Sequence, residues 1–307
     1  MRASTTTKGL MRANRLWVIG SLAPVVVLLV ALTIWPVINV AILSLSSLEW
    51  SDGKADLSFV GLANFIELFT DQPVYWAGVR NNIIFAVAAV SCQMVLGFFM
   101  ALSVQRASKI GRGVLTAIYL LPIVIPPIVI GAMWRLLLGS DFGIVNNILG
   151  FIGLGPFDWL GSARLALPSV IAVDIWHWTP FVFLLMLTGL ESLDQEVFEA
   201  ARIDVLNGWQ ELRHITIPLM LPTILITVAF RLILSFKVFD EVFLLTAGGP
   251  GTATEVINFS IYRVFFGQDN VGLGSAMSFL TLFSVAFIAI LANAVVRRWR
   301  RNKEVHA

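Results

Sequence analysis

The chain has little charge and almost no cysteine. Of its 307 residues, 13% are charged and 58% are hydrophobic, whereas a soluble domain carries about 25% charged residues. A soluble fold of this length cannot hide so much apolar surface, because polar groups must cover the area that stays in water. Cys92 is the sole cysteine, so no internal disulfide forms, and we expect its thiol to be a small buried hydrophobe. Of the broad classes of protein, the composition therefore favours an integral membrane protein.

Catalytic motifs are also absent. The sequence has no G-x-x-x-x-G-K-[ST] phosphate-binding loop and no His-Glu-x-x-His metal motif. Its three histidines are His177, His214 and His306, and none belongs to a plausible Ser-His-Asp set. We therefore expect a protein that is not an enzyme on its own and that holds neither a cofactor nor a metal ion.

Long apolar runs predict an all-α integral membrane protein with six transmembrane helices. A spanning helix needs about 20 apolar residues, because the hydrocarbon core is ~30 Å thick. Four runs carry no charge, and two more reach this length only if Asp174 or Arg231 is admitted. The predicted spans are residues 16–44, 82–105, 113–137, 166–190, 216–238 and 272–297, in a transmembrane domain of residues 16–298 between tails of residues 1–15 and 299–307.

Positive charge predicts the orientation. Fourteen Lys and Arg residues fall in the two tails and in the loops after spans two and four, against five on the other side. Because positively charged loops stay inside, both tails are expected in the cytoplasm, which agrees with an even number of spans. The charge-free segment 142–157 is too short and glycine-rich to span, and is expected to be re-entrant or interfacial.

The predicted cytoplasmic loop of residues 191–214 is the most informative part of the sequence. It has two short amphipathic stretches, Glu196–Val205 and Trp209–Ile215, separated by Asn207–Gly208, a pair that is typical of a turn. Pro218 follows and is expected to open span five. Small residues on one face of this loop favour a surface that binds another protein, and an ordinary solvated loop is the alternative.

This loop resembles a known family. EAARID, followed by ITIP, is similar to the signature of the permeases of binding-protein-dependent ABC importers, and WHWTPFVFLLMLTGLESLDQEVFEAARID and FKVFDEVFLLTAGGPGTATEVINFSIYRVFF resemble its carbohydrate branch. The resemblance runs from about residue 16 to the end and is most specific between Trp176 and Phe266. It is greatest to the maltose- or glycerol-phosphate-type subunit, the first of the two unlike permeases. Val205 departs from the pattern, because the family usually has glycine there.

The resemblance implies a type I importer permease whose loop between helices 4 and 5 is a coupling helix held in a cleft of a cytoplasmic ATPase. The implied ATPase contacts are Glu199, Ala200, Ala201, Asp204 and Gly208. The implied partners are a second, homologous permease in a heterodimer, two copies of the ATPase carrying ATP and Mg²⁺, a periplasmic or extracellular solute-binding protein and a carbohydrate, but no nucleic acid. The implied location is the bacterial inner membrane.

Ionisable residues inside spans indicate function, because they are costly in lipid. Counting ~1.5 Å per residue from the inner ends of the spans puts Asp174 at about 24 Å, Arg231 at about 20 Å and Lys237 at about 28 Å. Asp174 is therefore expected to pair with Arg231 or Lys237. Such a pair lines a substrate path or is a static structural contact, and the sequence leaves both interpretations open.

Carboxylates beside aromatic rings near the outer end suit a sugar, whose hydroxyls need acceptors and whose C–H faces stack on rings. The substrate-path candidates are Asp174, Trp176, His177, Trp178, Arg231, Phe236, Lys237, Asp240 and Glu241. The glycine-rich segment Thr246–Thr254 is expected to be a flexible outer loop that shapes the cavity mouth or contacts a binding protein. A self-contained secondary carrier or channel is the alternative function, although no internal repeat is evident and a carrier has no use for a coupling loop.

Overall fold

The computed structural model describes residues 4–51, 54–194, 196–197 and 207–306, which are mostly helical. The helices are α1 (Ser4–Ser44), α2 (Ala63–Thr70), α3 (Pro73–Gln105), α4 (Lys109–Val124), α5 (Pro127–Leu137), α6 (Ile144–Phe151), α7 (Ala166–Glu191), α8 (Gly208–Glu211), α9 (Ile217–Ser235), α10 (Asp240–Leu245), α11 (Ile257–Tyr262) and α12 (Val271–His306). Two π-helical turns, Leu212–Thr216 and Arg263–Gly267, precede α9 and follow α11. Strands β1 (Ser46–Ser51) and β2 (Lys54–Phe59) pair antiparallel.

Within these ranges, five helical segments are long and apolar enough to cross a membrane, and α4 with α5 makes a sixth when the bent pair is one span. The pair bends by 93°, and the break falls at Ile125 and Pro126. Pro126 and Pro127 have no N–H to donate to the preceding turn, which explains a break at this point. The predicted helical membrane fold is confirmed, apart from the short hairpin of β1 and β2, and the six predicted spans agree with the count in which the bent pair is one span.

The helix that contains the fifth predicted span extends further upstream than the span itself. Asn207 does not form a turn; it caps α8, because its side chain accepts the Gln210 N–H at 2.8 Å while the Gln210 side chain accepts the Asn207 N–H at 3.0 Å. Helix α8 then continues through the π turn into α9, giving one helical segment over Gly208–Ser235 that is apolar enough to cross a membrane. Pro218 lies in the first turn of α9, as expected for the residue that opens the span. The sequence predicts a short helix over Trp209–Ile215 apart from span five, whereas the structure joins the two without a break. A π turn relaxes the hydrogen-bond ladder just before Pro218, so the proline does not stop the helix.

The chain forms two compact units. One contains residues up to Thr70 together with Val264–Leu280. In this unit the amide of Asn64 donates to the carbonyls of Ser44 and Ser46 at 3.0 and 2.9 Å. These bonds fix the end of α1 and the start of β1, where the helix leaves its carbonyls without intrahelical partners.

The other unit, Asp71–Arg263 with Thr281–Ala307, contains the candidate site. Helix α3 packs along α7, and Gly97 allows their close approach because a Cβ there would lie 2.7 Å from Cγ1 of Val182. One apolar cluster surrounds Phe85 and Val170, and a second surrounds Phe183 and Met186. Two apolar clusters thus hold α3 and α7 together. The polar residues described below lie on these helices and on α9 and α10.

Two further expectations concern this unit. Cys92 on α3 is exposed, so the expected burial is wrong. A small thiol on an apolar helix has no polar group that must turn inward, and it is equally compatible with an outer face of the span. Segment 142–157 contains helix α6, and Asn146 fixes the fold of this segment by donating to carbonyls of Gly139, Ser140 and Phe157.

Candidate functional site

A buried polar network joins three crossings near their middle. Arg231 of α9 donates from Nη2 to Oδ2 of Asp174 on α7 at 3.0 Å, and from Nε to Oε1 of Gln93 on α3 at 2.8 Å. The Gln93 amide donates to the same Asp174 oxygen at 2.8 Å. The side chains of Arg231 and Asp174 are 1% and 3% exposed. Both charges are therefore taken out of solvent, and each is satisfied by the other and by the glutamine.

The helical repeat explains which residues of α7 join the site. Asp174, His177 and Trp178 are separated by three and four positions, so they lie on one face. His177 contacts Glu241 of α10 through Nδ1 and Oε1 at 3.1 Å, and both side chains are buried. The Trp178 ring lies 5.0 Å from the guanidinium carbon of Arg231, a cation–π distance. This face thus places a carboxylate, an imidazole and an indole beside α9 and α10.

These groups border a cavity of about 140 Å³ that opens where α9 ends and α10 begins. This volume is smaller than the ~300–1,000 Å³ of a complete ligand pocket. The lining combines apolar and aromatic side chains with charged ones. Its residues are Pro127, Asp174, His177, Trp178, Arg231, Leu234, Lys237, Val238, Phe239, Asp240 and Glu241.

Seven of the nine substrate-path candidates from the sequence line this cavity, and Trp176 and Phe236 do not. Trp176 lies two positions from Asp174 and so turns away from that face; it packs on the apolar core, with its ring 5.5 Å from that of Trp134. Phe236 caps the end of α9 and is half-buried. Of the two expected partners of Asp174, Arg231 makes the ion pair, and no described contact joins Asp174 to Lys237.

Gln93 is a member of the network that the sequence analysis missed. It is fully buried in the middle of α3. Its signal was present, because an amide inside an otherwise apolar crossing needs a hydrogen-bond partner in the bundle. An uncharged residue does not interrupt an apolar run, however, so the charge-based search for candidates passed over it.

Hydrogen bonds hold the glycine-rich segment Thr246–Thr254, which the sequence predicts to be a flexible outer loop. The amide of Asn81 donates to the carbonyls of Thr252, Ala253 and Glu255 at 2.8, 3.3 and 3.0 Å. The hydroxyls of Thr246 and Thr254 lie 2.7 Å apart. The expected flexibility of this segment therefore finds no support in its contacts.

Glu255, directly after this segment, is fully buried. Its Oε1 accepts from Ser260 at 2.6 Å and from Arg263 at 2.9 Å. Burial raises the pKa of Glu255 above its ordinary value, although the Ser260 hydroxyl and the Arg263 charge act in the opposite direction. These contacts fix the end of the glycine-rich segment, and Glu255 does not line the cavity.

The predicted ATPase contacts lie largely beyond the described structure. Glu199, Ala200, Ala201 and Asp204 fall outside the described residues, as does Val205. Gly208 is described, and it is the first residue of α8. On the same side of the predicted topology, Arg112 forms an ion pair with Glu191, which joins the start of α4 to the end of α7.

The fold and the cavity define a multi-pass membrane protein whose buried polar site lies between crossing helices, as in proteins that move solutes. Within the described ranges, no group of three or more His, Cys, Asp and Glu side chains is arranged to hold a metal ion.

Comparison with known proteins gives the family. Residues 93–301 match the model of the binding-protein-dependent transport system inner membrane component. The chain belongs to this family, and its relatives are named as permease proteins of ABC transporters or of sugar transport systems. It is 39% identical over 246 residues to the probable ABC transporter permease protein y4oQ of Sinorhizobium fredii, covering 80% of this chain and 78% of that protein. It is 35% identical over 244 residues to the trehalose/maltose transport system permease protein MalF of Thermococcus litoralis, covering 80% and 81%.

A solved structure shows the same fold. The chain superposes with a TM-score of 0.81 on a chain of a bacterial ABC transporter involved in the import of the acidic polysaccharide alginate, covering 96% of this chain and 99% of that one at 23% identity. The resemblance to importer permeases is thereby confirmed for sequence and for fold.

Proposed function

We propose that this chain is one of two homologous permease subunits, paired as a heterodimer, in an ATP-driven importer of a carbohydrate. The observation that carries the proposal is the cavity at the end of α9, where the rings of Trp178 and Phe239 meet the carboxylates of Asp240 and Glu241. Apolar walls with a few placed polar groups are the usual lining of a small-molecule site. The relative named as a trehalose/maltose permease supports the same substrate class.

The small volume of the cavity fits a shared site. A heterodimer brings a second permease against this one, and the missing wall of the cavity would come from that subunit. One chain then supplies half of the contacts, and the substrate lies between the two.

Energy reaches the cavity through the fifth crossing. Gly208–Ser235 is one helical segment of 28 residues, or roughly 42 Å at ~1.5 Å per residue. Its upper end borders the cavity, and its lower end adjoins the loop whose residues Glu199, Ala200, Ala201 and Asp204, with Gly208, contact the ATPase. A displacement of that loop is therefore passed to the substrate site by one element, which is the two-state coupling that alternating access requires.

The remaining parts of the machine lie on other chains. Two copies of a cytoplasmic ATPase bind ATP and Mg²⁺, and an extracytoplasmic solute-binding protein delivers the sugar. This chain holds no cofactor and catalyses no reaction. It lies in a bacterial inner membrane with both termini in the cytoplasm, as its charge distribution predicts.

Reconstitution tests the function. The chain, its companion permease, the ATPase and the binding protein are placed in proteoliposomes, and uptake is measured for a panel of labelled sugars with ATP inside the vesicles. We expect uptake of at least one sugar that stops when ATP or the ATPase is left out. ATP-independent uptake by this chain alone would instead identify a secondary carrier or channel.

A cross-link tests the coupling. Ala200→Cys in a Cys92→Ser background, with a cysteine in the ATPase cleft, is expected to give a disulfide-linked product in intact cells after mild oxidation. Asp141→Cys, on the opposite side of the predicted topology, is the matched control and is expected to give none. Failure of Ala200→Cys to capture the ATPase would contradict the proposed docking.

A further inference from the structure

The charged groups of the cavity fall into two sets. The first set is buried and paired. Asp174 and Arg231 satisfy each other at 3.0 Å, and His177 and Glu241 are in contact at 3.1 Å. A ligand that took the place of either partner in these two contacts would have to separate a pair inside the bundle, which is costly. They shape the cavity and are poorly suited to select what enters it.

The second set is exposed and unpaired. Lys237 and Asp240 line the same cavity and are both exposed. In the part of the chain that the structure describes, no hydrogen bond or ion pair engages the head group of either. They lie at the two ends of the break between α9 and α10, three positions apart. Because both head groups are exposed, a ligand can bind them without separating a contact between buried protein groups.

The net charge of the side chains that line the cavity is not positive. Asp174, Asp240 and Glu241 contribute three negative charges, and Arg231 and Lys237 contribute two positive ones. The total is −1 with His177 neutral and zero with His177 protonated. Arg231 is already paired with Asp174. Among the described residues that line the cavity, Lys237 is then the one cation outside an ion pair, and an acidic sugar would meet Asp240 beside it as a repelling charge.

We infer that Lys237 and Asp240 form a recognition pair that selects uncharged, polyhydroxylated sugars against acidic sugars. Lys237 donates hydrogen bonds to one sugar hydroxyl, and Asp240 accepts one from a neighbouring hydroxyl, so a vicinal diol satisfies both. The carboxylate of a uronic acid cannot donate to Asp240, and its charge is repelled there. This inference rests on the proposed carbohydrate function and adds the substrate's charge class and the two residues that set it.

Opposite substitutions give a sharp test. The assembled complex of this chain, its companion permease and the ATPase is placed in nanodiscs. Affinities are measured by calorimetry for the methyl glycosides of glucose, galactose and mannose and for those of the matching uronic acids. Within each pair the ligands differ only at C6, so the ratio of neutral to acidic affinity reports charge selection and not overall fit.

We expect the unmodified complex to prefer the neutral sugar. Asp240→Asn, which removes the repelling charge, is expected to lower the neutral-to-acidic ratio by about fivefold, and Lys237→Gln is expected to raise it by about fivefold. Asp141→Asn, an exposed carboxylate outside the cavity, is expected to leave the ratio unchanged. A general loss of folding would weaken both sugars together and would not move the ratio in opposite directions.

The outcomes separate this inference from the function on which it rests. Preference for acidic sugars, or a ratio that Asp240→Asn and Lys237→Gln both leave unchanged or shift in the same direction, would overturn the recognition pair while leaving a sugar permease intact. Binding of none of the six glycosides, together with no ATP-dependent uptake in proteoliposomes, would overturn the carbohydrate function and the recognition pair with it.

Discussion

At the scale of single residues, the buried network offsets the cost of placing charges in the membrane interior. It consists of Asp174, Gln93 and Arg231. An isolated charge there is costly, and an ion pair recovers the cost only when hydrogen bonds satisfy its remaining atoms. Gln93 supplies these bonds, because its amide nitrogen donates to Asp174 and its amide oxygen accepts from Arg231. The network therefore also ties α3, α7 and α9 together at one level.

Asp174→Asn tests this account. The substitution leaves Arg231 buried without a counter-charge, so we expect the protein to lose about 3–5 kcal/mol of stability, seen as a lower melting temperature of the detergent-solubilised complex and poor assembly. Adding Arg231→Gln to Asp174→Asn removes the orphaned charge and should restore much of the loss. Asp141→Asn, which is exposed, serves as the control and should melt normally.

Normal melting and assembly of Asp174→Asn with loss of uptake alone would contradict a structural role for the pair. Asp174 would then act on the substrate. The two interpretations that the sequence leaves open are separated in this way by one variant and two measurements.

How far the sequence predicts this site depends on the type of residue. Counting helical rise predicts that Asp174 has a cationic partner at similar depth, but the choice of Arg231 over Lys237 needs the structure. Gln93 is missed because an amide does not interrupt an apolar run, and the exclusion of Trp176 needs the rotation of α7, which the composition of the span does not give. Glu241 is found as a carboxylate near rings, but its contact with His177 joins elements 64 positions apart and requires the packed structure.

At the scale of elements, α6 depends on one asparagine. Asn146 donates to three carbonyls and accepts from the Phe157 N–H at 3.1 Å and from Trp159 Nε1 at 2.9 Å. These bonds close the segment around α6, which has few other polar contacts. The helix is short, at 8 residues, and would be marginal alone.

Asn146→Ala is therefore expected to open this segment. Each lost hydrogen bond has a net value of about 0.5–1.5 kcal/mol, and buried donors and acceptors are left unsatisfied. Hydrogen exchange measured by mass spectrometry should show faster exchange over residues 139–159. Asn147→Ala is the matched control, because Asn147 is the next residue and its side chain is exposed. Equal exchange in both variants would show that Asn146 does not hold α6.

The contact between α3 and α7 gives a second test at this scale. A methyl group at position 97 would lie 2.7 Å from Val182, whereas one at position 113 would meet nothing within 4 Å. Gly97→Ala is expected to cost about 1–3 kcal/mol through overpacking. Gly113→Ala in α4 should be neutral or stabilising by about 0.5–1 kcal/mol, because alanine loses less backbone entropy. Melting temperatures that fall equally in both variants would contradict the close-packing account.

The helices also show which features of an element the sequence pattern does not predict. Apolar length identifies the crossings, but the sequence predicts a single span over residues 113–137, and the bend between α4 and α5 is seen only in the structure. The start of a helix at Gly208, continuous with the fifth predicted span, is not foreseen, because an Asn–Gly pair forms either a turn or a helix cap. The choice here depends on Gln210, which lies three positions after Asn207 and completes the cap.

At the scale of the whole molecule, orientation decides which end faces the ATPase. The surplus of Lys and Arg predicts that both termini and the loop of residues 191–214 lie inside. On this prediction the segment between the bent pair and α7, with Asp141, lies outside, and Lys109 at the start of α4 lies inside. Both side chains are exposed, so each position is available to a reagent without unfolding.

Cysteine labelling in intact cells tests this arrangement. In a Cys92→Ser background, Asp141→Cys is expected to react with a membrane-impermeant maleimide, and Lys109→Cys is expected to react only after the membrane is permeabilised. Cys92→Ser alone is the control and should remain unlabelled. The reverse pattern would put the loop of residues 191–214 outside the cell. No cytoplasmic ATPase could reach it there, so the proposed coupling through the fifth crossing would fail along with the orientation.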